Sequence, residues 1–148
     1  MALNGFLNQD IGKDQDLMFK VPEFKIIDTT YYEGFKEAGN MLTPRLIDYC
    51  NQLTEQFKGR KIVVRSSAVV SEDSDKHSGA GLYETVFLEH NWAVEDVIDA
   101  VLQVYASVNS PKALAYRQEN GLGEESMAVV VQELLKKGHL YTNGVMYS

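Results

Sequence analysis

Lys61-Ile62-Val63-Val64-Arg65-Ser66-Ser67-Ala68 is a short β-branched run that passes directly into an arginine and two hydroxyls. Three consecutive β-branched residues predict a buried strand. A guanidinium just beyond such a strand stands where open α/β sheets commonly place ligand groups. Followed by hydroxyls, it suits a phosphate, because arginine offers bidentate hydrogen bonds together with a full charge. The same arginine equally suits a structural clamp, paired with Glu72 or Asp73. Spacing leaves both readings open.

Outward from this run the chain alternates strand and helix signals. Val21 to Ile27 reads as a short strand, with Pro22 confining it to a sheet edge. Thr29 or Thr30 is expected to cap a short helix over Tyr32 and Phe35 that stops near Gly39. Thr43-Pro44 starts a second helix, which carries Leu46, Ile47, Cys50, Leu53 and Phe57 at helical spacing and ends at Gly59. Leu82 to Leu88 and Met127 to Leu135 are β-rich. Between them, Val94, Val97, Ile98, Val101, Leu102, Tyr105 and Val108 define an amphipathic helix, and Ser110-Pro111 opens another that closes at Gly121. Gly144 to Tyr147 begins one more strand. The expected class is α+β or α/β. Residues 1–20 read as a polar arm and residues 20–148 as the folded unit. The sequence stops at Ser148 inside an apolar strand pattern, which reads as a piece of a longer protein.

Composition narrows the function. The chain has 148 residues, 45% of them hydrophobic, enough for a core of its own. No stretch approaches the length of a membrane span, and Met1 to Asp10 has no signal-peptide pattern. One cysteine, Cys50, excludes an intramolecular disulfide and a multi-cysteine metal site. A cytoplasmic location is expected. Fourteen Lys+Arg against 21 Asp+Glu give a net charge of −7, and from Glu72 to Asp99 Lys76 is the single basic residue. Such a surface disfavours nucleic acid, but one arginine and a few backbone N–H groups can still hold a small phosphate ligand.

Two further constellations could serve one. Gly79-Ala80-Gly81, followed by Thr85, lets the backbone approach a ligand closely, or is simply a hairpin turn. It fits neither the Walker nor the full Rossmann pattern. Gln132-Glu133, within the apolar run Val129 to Leu135, either meets a nucleobase or lies in water at a strand end. His77, His90 and His139 are scattered, without metal-site spacing. Cys50 lies on the apolar face of its helix, as a core thiol would.

Taken together, the order of motifs resembles the ATP-binding domain of phosphoenolpyruvate synthase and pyruvate phosphate dikinase. The matching elements are Val21 to Ile26, Val64 to Ala68 with Ser71-Glu72-Asp73, Gly79 to Val86, Tyr105-Ala106-Ser107, Ala115-Tyr116-Arg117, Val129 to Glu133 and Gly144 to Ser148. The resemblance implies a partial ATP-grasp fold over residues 20–148. It implies that ATP is bound and that a longer enzyme phosphorylates a catalytic histidine on a swivelling domain, with a barrel domain completing the reaction. By motif, Arg65 would bind and activate phosphate, joined by Ser66. Gly79, Ala80, Gly81 and Thr85 would lie over the phosphates, and Gln132, Glu133, Leu134 and Leu135 would form the adenine and ribose end. Magnesium ligands would come after Ser148, so none is assigned within the chain, which alone would be inactive. Two positions depart from the pattern: Ile11-Gly12-Lys13 lies closer to Val21 than the family's lysine motif, and Phe24 follows Glu23 where the family has glycine. A stand-alone nucleotide-sensing or interaction module and the ATP-binding part of a rifampicin-type antibiotic phosphotransferase are the alternatives.

Overall fold

A computed structural model describes residues 21–71 and 81–134. Four strands and four helices follow in the order β1 (Phe24–Ile27), α1 (Thr29–Glu37), α2 (Pro44–Phe57), β2 (Ile62–Ala68), β3 (Thr85–Leu88), α3 (Val94–Ser107), α4 (Pro111–Glu119) and β4 (Met127–Glu133). The strands form one sheet in the order β1-β4-β2-β3. All three pairings are antiparallel. The described part is therefore α+β, and the parallel α/β alternative is set aside. β1 is an edge strand as expected, but it starts at Phe24, so Pro22 lies before it. The arm at residues 1–20, Lys13, and the strand expected from Gly144 lie outside the described residues.

Helix starts follow their capping chemistry. Thr43 Oγ1 accepts from the Leu46 N–H at 3.3 Å, and Ser110 Oγ accepts from the Ala113 N–H at 3.2 Å, each with proline in the first turn. α1 differs from expectation, because its cap is Asp28 and neither threonine. The Asp28 carboxylate accepts from the Thr30 N–H at 2.9 Å, and a carboxylate also favours the positive end of the helix dipole. On α3, Asp96 reaches back to accept from the Ala93 N–H at 2.7 Å. Gly39, Gly59 and Gly121 all have positive φ beyond helix ends, the conformation that costs glycine least.

The helices share one face of the sheet. Tyr32 of α1, Leu46, Cys50, Leu53 and Phe57 of α2, Val97, Val101, Val104 and Tyr105 of α3, and Ala113 of α4 enter a single core cluster. From the sheet come Ile27, Ile62, Val64, Ala68, Met127, Val129 and Val131. These strand residues are spaced by two and lie opposite one another in register, as one pleated face must. Val63 is buried but is not part of that cluster, which assigns it to the other face. That second face is not covered by any described helix, and Phe24, Ile26 and Phe87 stand exposed along it.

Candidate functional site

Register decides which of the expected residues meet. Arg65 pairs with Thr85 on β3 and with Val130 on β4. It is not past the end of its strand, because β2 runs on to Ala68. Alternation from Val64, at 0% exposure, sends the Arg65 side chain to the uncovered face, where it is exposed. Thr85 lies directly across from it, also exposed. Gln132 is two residues along from Val130 and half-buried on the same face, opposite Val63 and Phe24. Arg65, Thr85 and Gln132 thus share one surface. Among the described residues Arg65 has no ion-pair partner, and Glu72 and Asp73 fall outside them.

Other expected residues do not join that surface. Ser66 and Glu133 occupy the alternate, helix-facing register, opposite Val129 and Ile62. Glu133 lies 3.7 Å from the Arg60 guanidinium, which also pairs with Glu23 and holds that carboxyl below its ordinary range. The Leu134 N–H donates to the Lys61 carbonyl at 2.8 Å, and the Glu133 N–H donates to the Glu23 carbonyl at 2.9 Å. Neither N–H is on offer to a base in this arrangement. Gly81, with positive φ, lies just before β3, and its carbonyl accepts from Lys112 Nζ at 2.8 Å. Gly79, Ala80 and Leu135 lie outside the described residues. Ser67 is the hydroxyl that shares the face of Arg65, two residues on and opposite Ala128. The period-two rule applied to Arg65 finds it.

Beyond the Ala68–Met127 end of the β2–β4 pair sits a buried polar cluster centred on Glu125, which is 3% exposed. Its carboxylate accepts from the N–H groups of Val70 at 2.7 Å and Ser71 at 3.0 Å, and from the Tyr83 hydroxyl at 2.9 Å. Ser71 Oγ in turn donates to the Tyr83 hydroxyl at 2.9 Å. Burial pushes the Glu125 pKa up, but these hydrogen bonds together outweigh it and hold the carboxyl below its ordinary value. Arg117 is also buried, donating to the Val108 carbonyl at 2.7 Å. A half-open cavity of about 450 Å³ on the helix side is lined by Tyr32, Lys36, Asn109, Arg117 and Glu125; it holds none of the expected site residues. No group of three metal-ligating side chains occurs among the described residues, nor is any helix there long and apolar enough to cross a membrane.

A solvent-facing guanidinium flanked by hydroxyls, on a sheet stiffened from behind by four helices, is chemically suited to an anionic oxygen ligand. The described residues form an α+β module with Arg65 and Thr85 exposed on one sheet face. The model of the pyruvate phosphate dikinase AMP/ATP-binding domain matches residues 17–148, and the chain belongs to that family. A probable phosphoenolpyruvate synthase of Methanothermobacter thermautotrophicus is 32% identical over 143 residues, covering 91% of this chain and 20% of the relative. Phosphoenolpyruvate synthases of Aquifex aeolicus and Synechocystis sp. are 32% and 35% identical, over 68% and 61% of this chain and 12% and 11% of theirs. The chain therefore spans a fifth or less of the length of these relatives.

Proposed function

We propose that this chain is a nucleotide-binding part of a phosphoenolpyruvate synthase or pyruvate phosphate dikinase-like phosphotransferase, and that its uncovered sheet face receives ATP. The observation that carries the reading is the juxtaposition of Arg65 and Thr85 across β2 and β3, with Gln132 on the same face. Arg65 supplies fixed positive charge and in-plane donors to the phosphates, and Thr85 and Ser67 supply hydroxyls. Gln132 offers an amide donor and acceptor further along β4, about 7 Å from the level of Arg65 at the usual strand rise. The base end of the nucleotide then lies toward Leu134, and the phosphates lie toward Gly81. Membership of an AMP/ATP-binding family supports the choice of a nucleotide as ligand.

The finer parts of the reading are the partial ATP-grasp fold over residues 20–148 and transfer of a phosphoryl group to a histidine on a separate domain, with a barrel domain beyond. The small share of each relative that the chain covers leaves room for such domains in those enzymes. Magnesium would neutralise phosphate charge when bound with ATP. The described residues supply no acidic cluster for it, so their own contribution is to bind and orient.

Calorimetric titration with ATP tests the proposal. Arg65→Ala should weaken binding by roughly tenfold or more, the scale of a lost charge-assisted contact. The control is Lys58→Ala, an exposed lysine with one i,i+3 partner, Glu55. Equal affinities for the two variants would remove Arg65 from the site.

A further inference from the structure

β3 is a four-residue strand that pairs, among the described residues, with β2 alone, and none of its four residues is fully buried. Val86 and Leu88 pack half-buried against the core and favour this register, and a slip of one residue would send Thr85 to the helix side and away from Arg65. The strand's entry is tied down by polar contacts: Lys112 Nζ to the Gly81 carbonyl at 2.8 Å, Tyr83 to Glu125 at 2.9 Å, and the Glu84 N–H to Ser107 Oγ at 3.1 Å. Glu125 holds both sides, because the same carboxylate also accepts from Val70 and Ser71, in the continuation of β2, where Ser71 Oγ adds a direct bond to the Tyr83 hydroxyl.

We infer that Glu125 is a positioning residue for the nucleotide surface: its carboxylate locks the continuation of β2 against the entry to β3 and so keeps Thr85 beside Arg65. It touches no ligand itself. The inference rests on the nucleotide reading above and adds a residue that no sequence motif marks. Three donors converge on one carboxylate with little water access, so removing its charge loosens the whole clamp. Glu125→Gln keeps the shape but turns one acceptor oxygen into a donor that faces other donors.

The test compares ATP affinity, thermal unfolding and β2–β3 cross-strand NOEs in the unsubstituted chain, Arg65→Ala, Glu125→Gln and Tyr83→Phe. Glu125→Gln should lose affinity on the order of tenfold at a temperature where it remains folded, the scale expected for a charge-assisted hydrogen bond. Its cross-strand NOEs between Arg65 and Thr85 should weaken. Tyr83→Phe, which deletes the hydroxyl bonded to both Glu125 and Ser71, should show the same effects. A purely structural role would lower the unfolding temperature and leave affinity unchanged; with Arg65→Ala impaired, that result overturns the inference alone. Where Glu125→Gln does not fold, Tyr83→Phe decides, and unchanged affinity in it is equally fatal. No binding by the unsubstituted chain, or full affinity in Arg65→Ala, overturns the nucleotide reading itself.

Discussion

Cys50 and Arg117 are reactive or charged side chains that the fold places in its core. Cys50 is fully buried in α2, and burial alone pushes its thiol up to about 11. A thiol of that kind reacts only when the chain opens, because the thiolate is the nucleophile. Native protein at pH 8 should therefore be labelled slowly by a thiol reagent, and denaturant should accelerate labelling by orders of magnitude; a rapid stoichiometric burst without denaturant would contradict the burial. Arg117 belongs to the Ala115-Tyr116-Arg117 element of the family resemblance, yet it is buried and bonded to the Val108 carbonyl just beyond α3. Tyr105, from another such element, packs against Tyr32 and Phe35 with ring centroids 4.9 and 5.3 Å away. These residues build the scaffold. Arg65 differs from Arg117 in one respect that matters: its guanidinium is exposed and unpaired among the described residues.

Elements are legible where a local rule is sufficient. Thr43-Pro44 and Ser110-Pro111 mark helix starts because the hydroxyl and the proline act within one turn. Thr43→Ala should cost about 1 kcal/mol, as an N-cap loss does, visible as a lower urea midpoint with an unchanged slope; no shift would mean that the Leu46 N–H finds another partner. The apolar period over Val94 to Val108 and the runs at Ile62 and Met127 became α3, β2 and β4 with small changes of boundary. Strand order was not legible, since it depends on contacts between residues far apart in the chain. That gap explains the placement of Arg65. The polar residues after Val64 read as a strand end, but the strand continues, and its alternation selects Ser67 over Ser66 for the shared face. Glu125 was invisible for a related reason: it lies between two elements, and its partners are 42 to 55 positions away.

At the scale of the molecule, the net charge of −7 is compatible with a phosphate-binding face because the acidic groups are used locally. Glu23, Asp28 and Glu125 cap or clamp, and their pKa values are depressed in the fold. Glu125 is held below the ordinary 4.5 by its hydrogen bonds, against the upward pull of burial. Asp28 is held below 3.8, chiefly by the Thr30 hydroxyl. A carboxyl whose folded pKa lies below its unfolded value stabilises the fold fully above the unfolded value and loses that contribution as pH falls through the folded one. The contribution of these carboxyls to the unfolding temperature should therefore be flat well above pH 4.5 and decline below it. Glu125→Gln should start from a lower plateau and show a shallower acid limb, because the group that titrates with the largest set of hydrogen bonds is gone. Asp28→Asn, whose side-chain oxygen can still accept at the cap, should alter the limb less. An acid limb of equal slope in Glu125→Gln and the unsubstituted protein would mean that the clamp does not carry the acid sensitivity, and that surface carboxylates do.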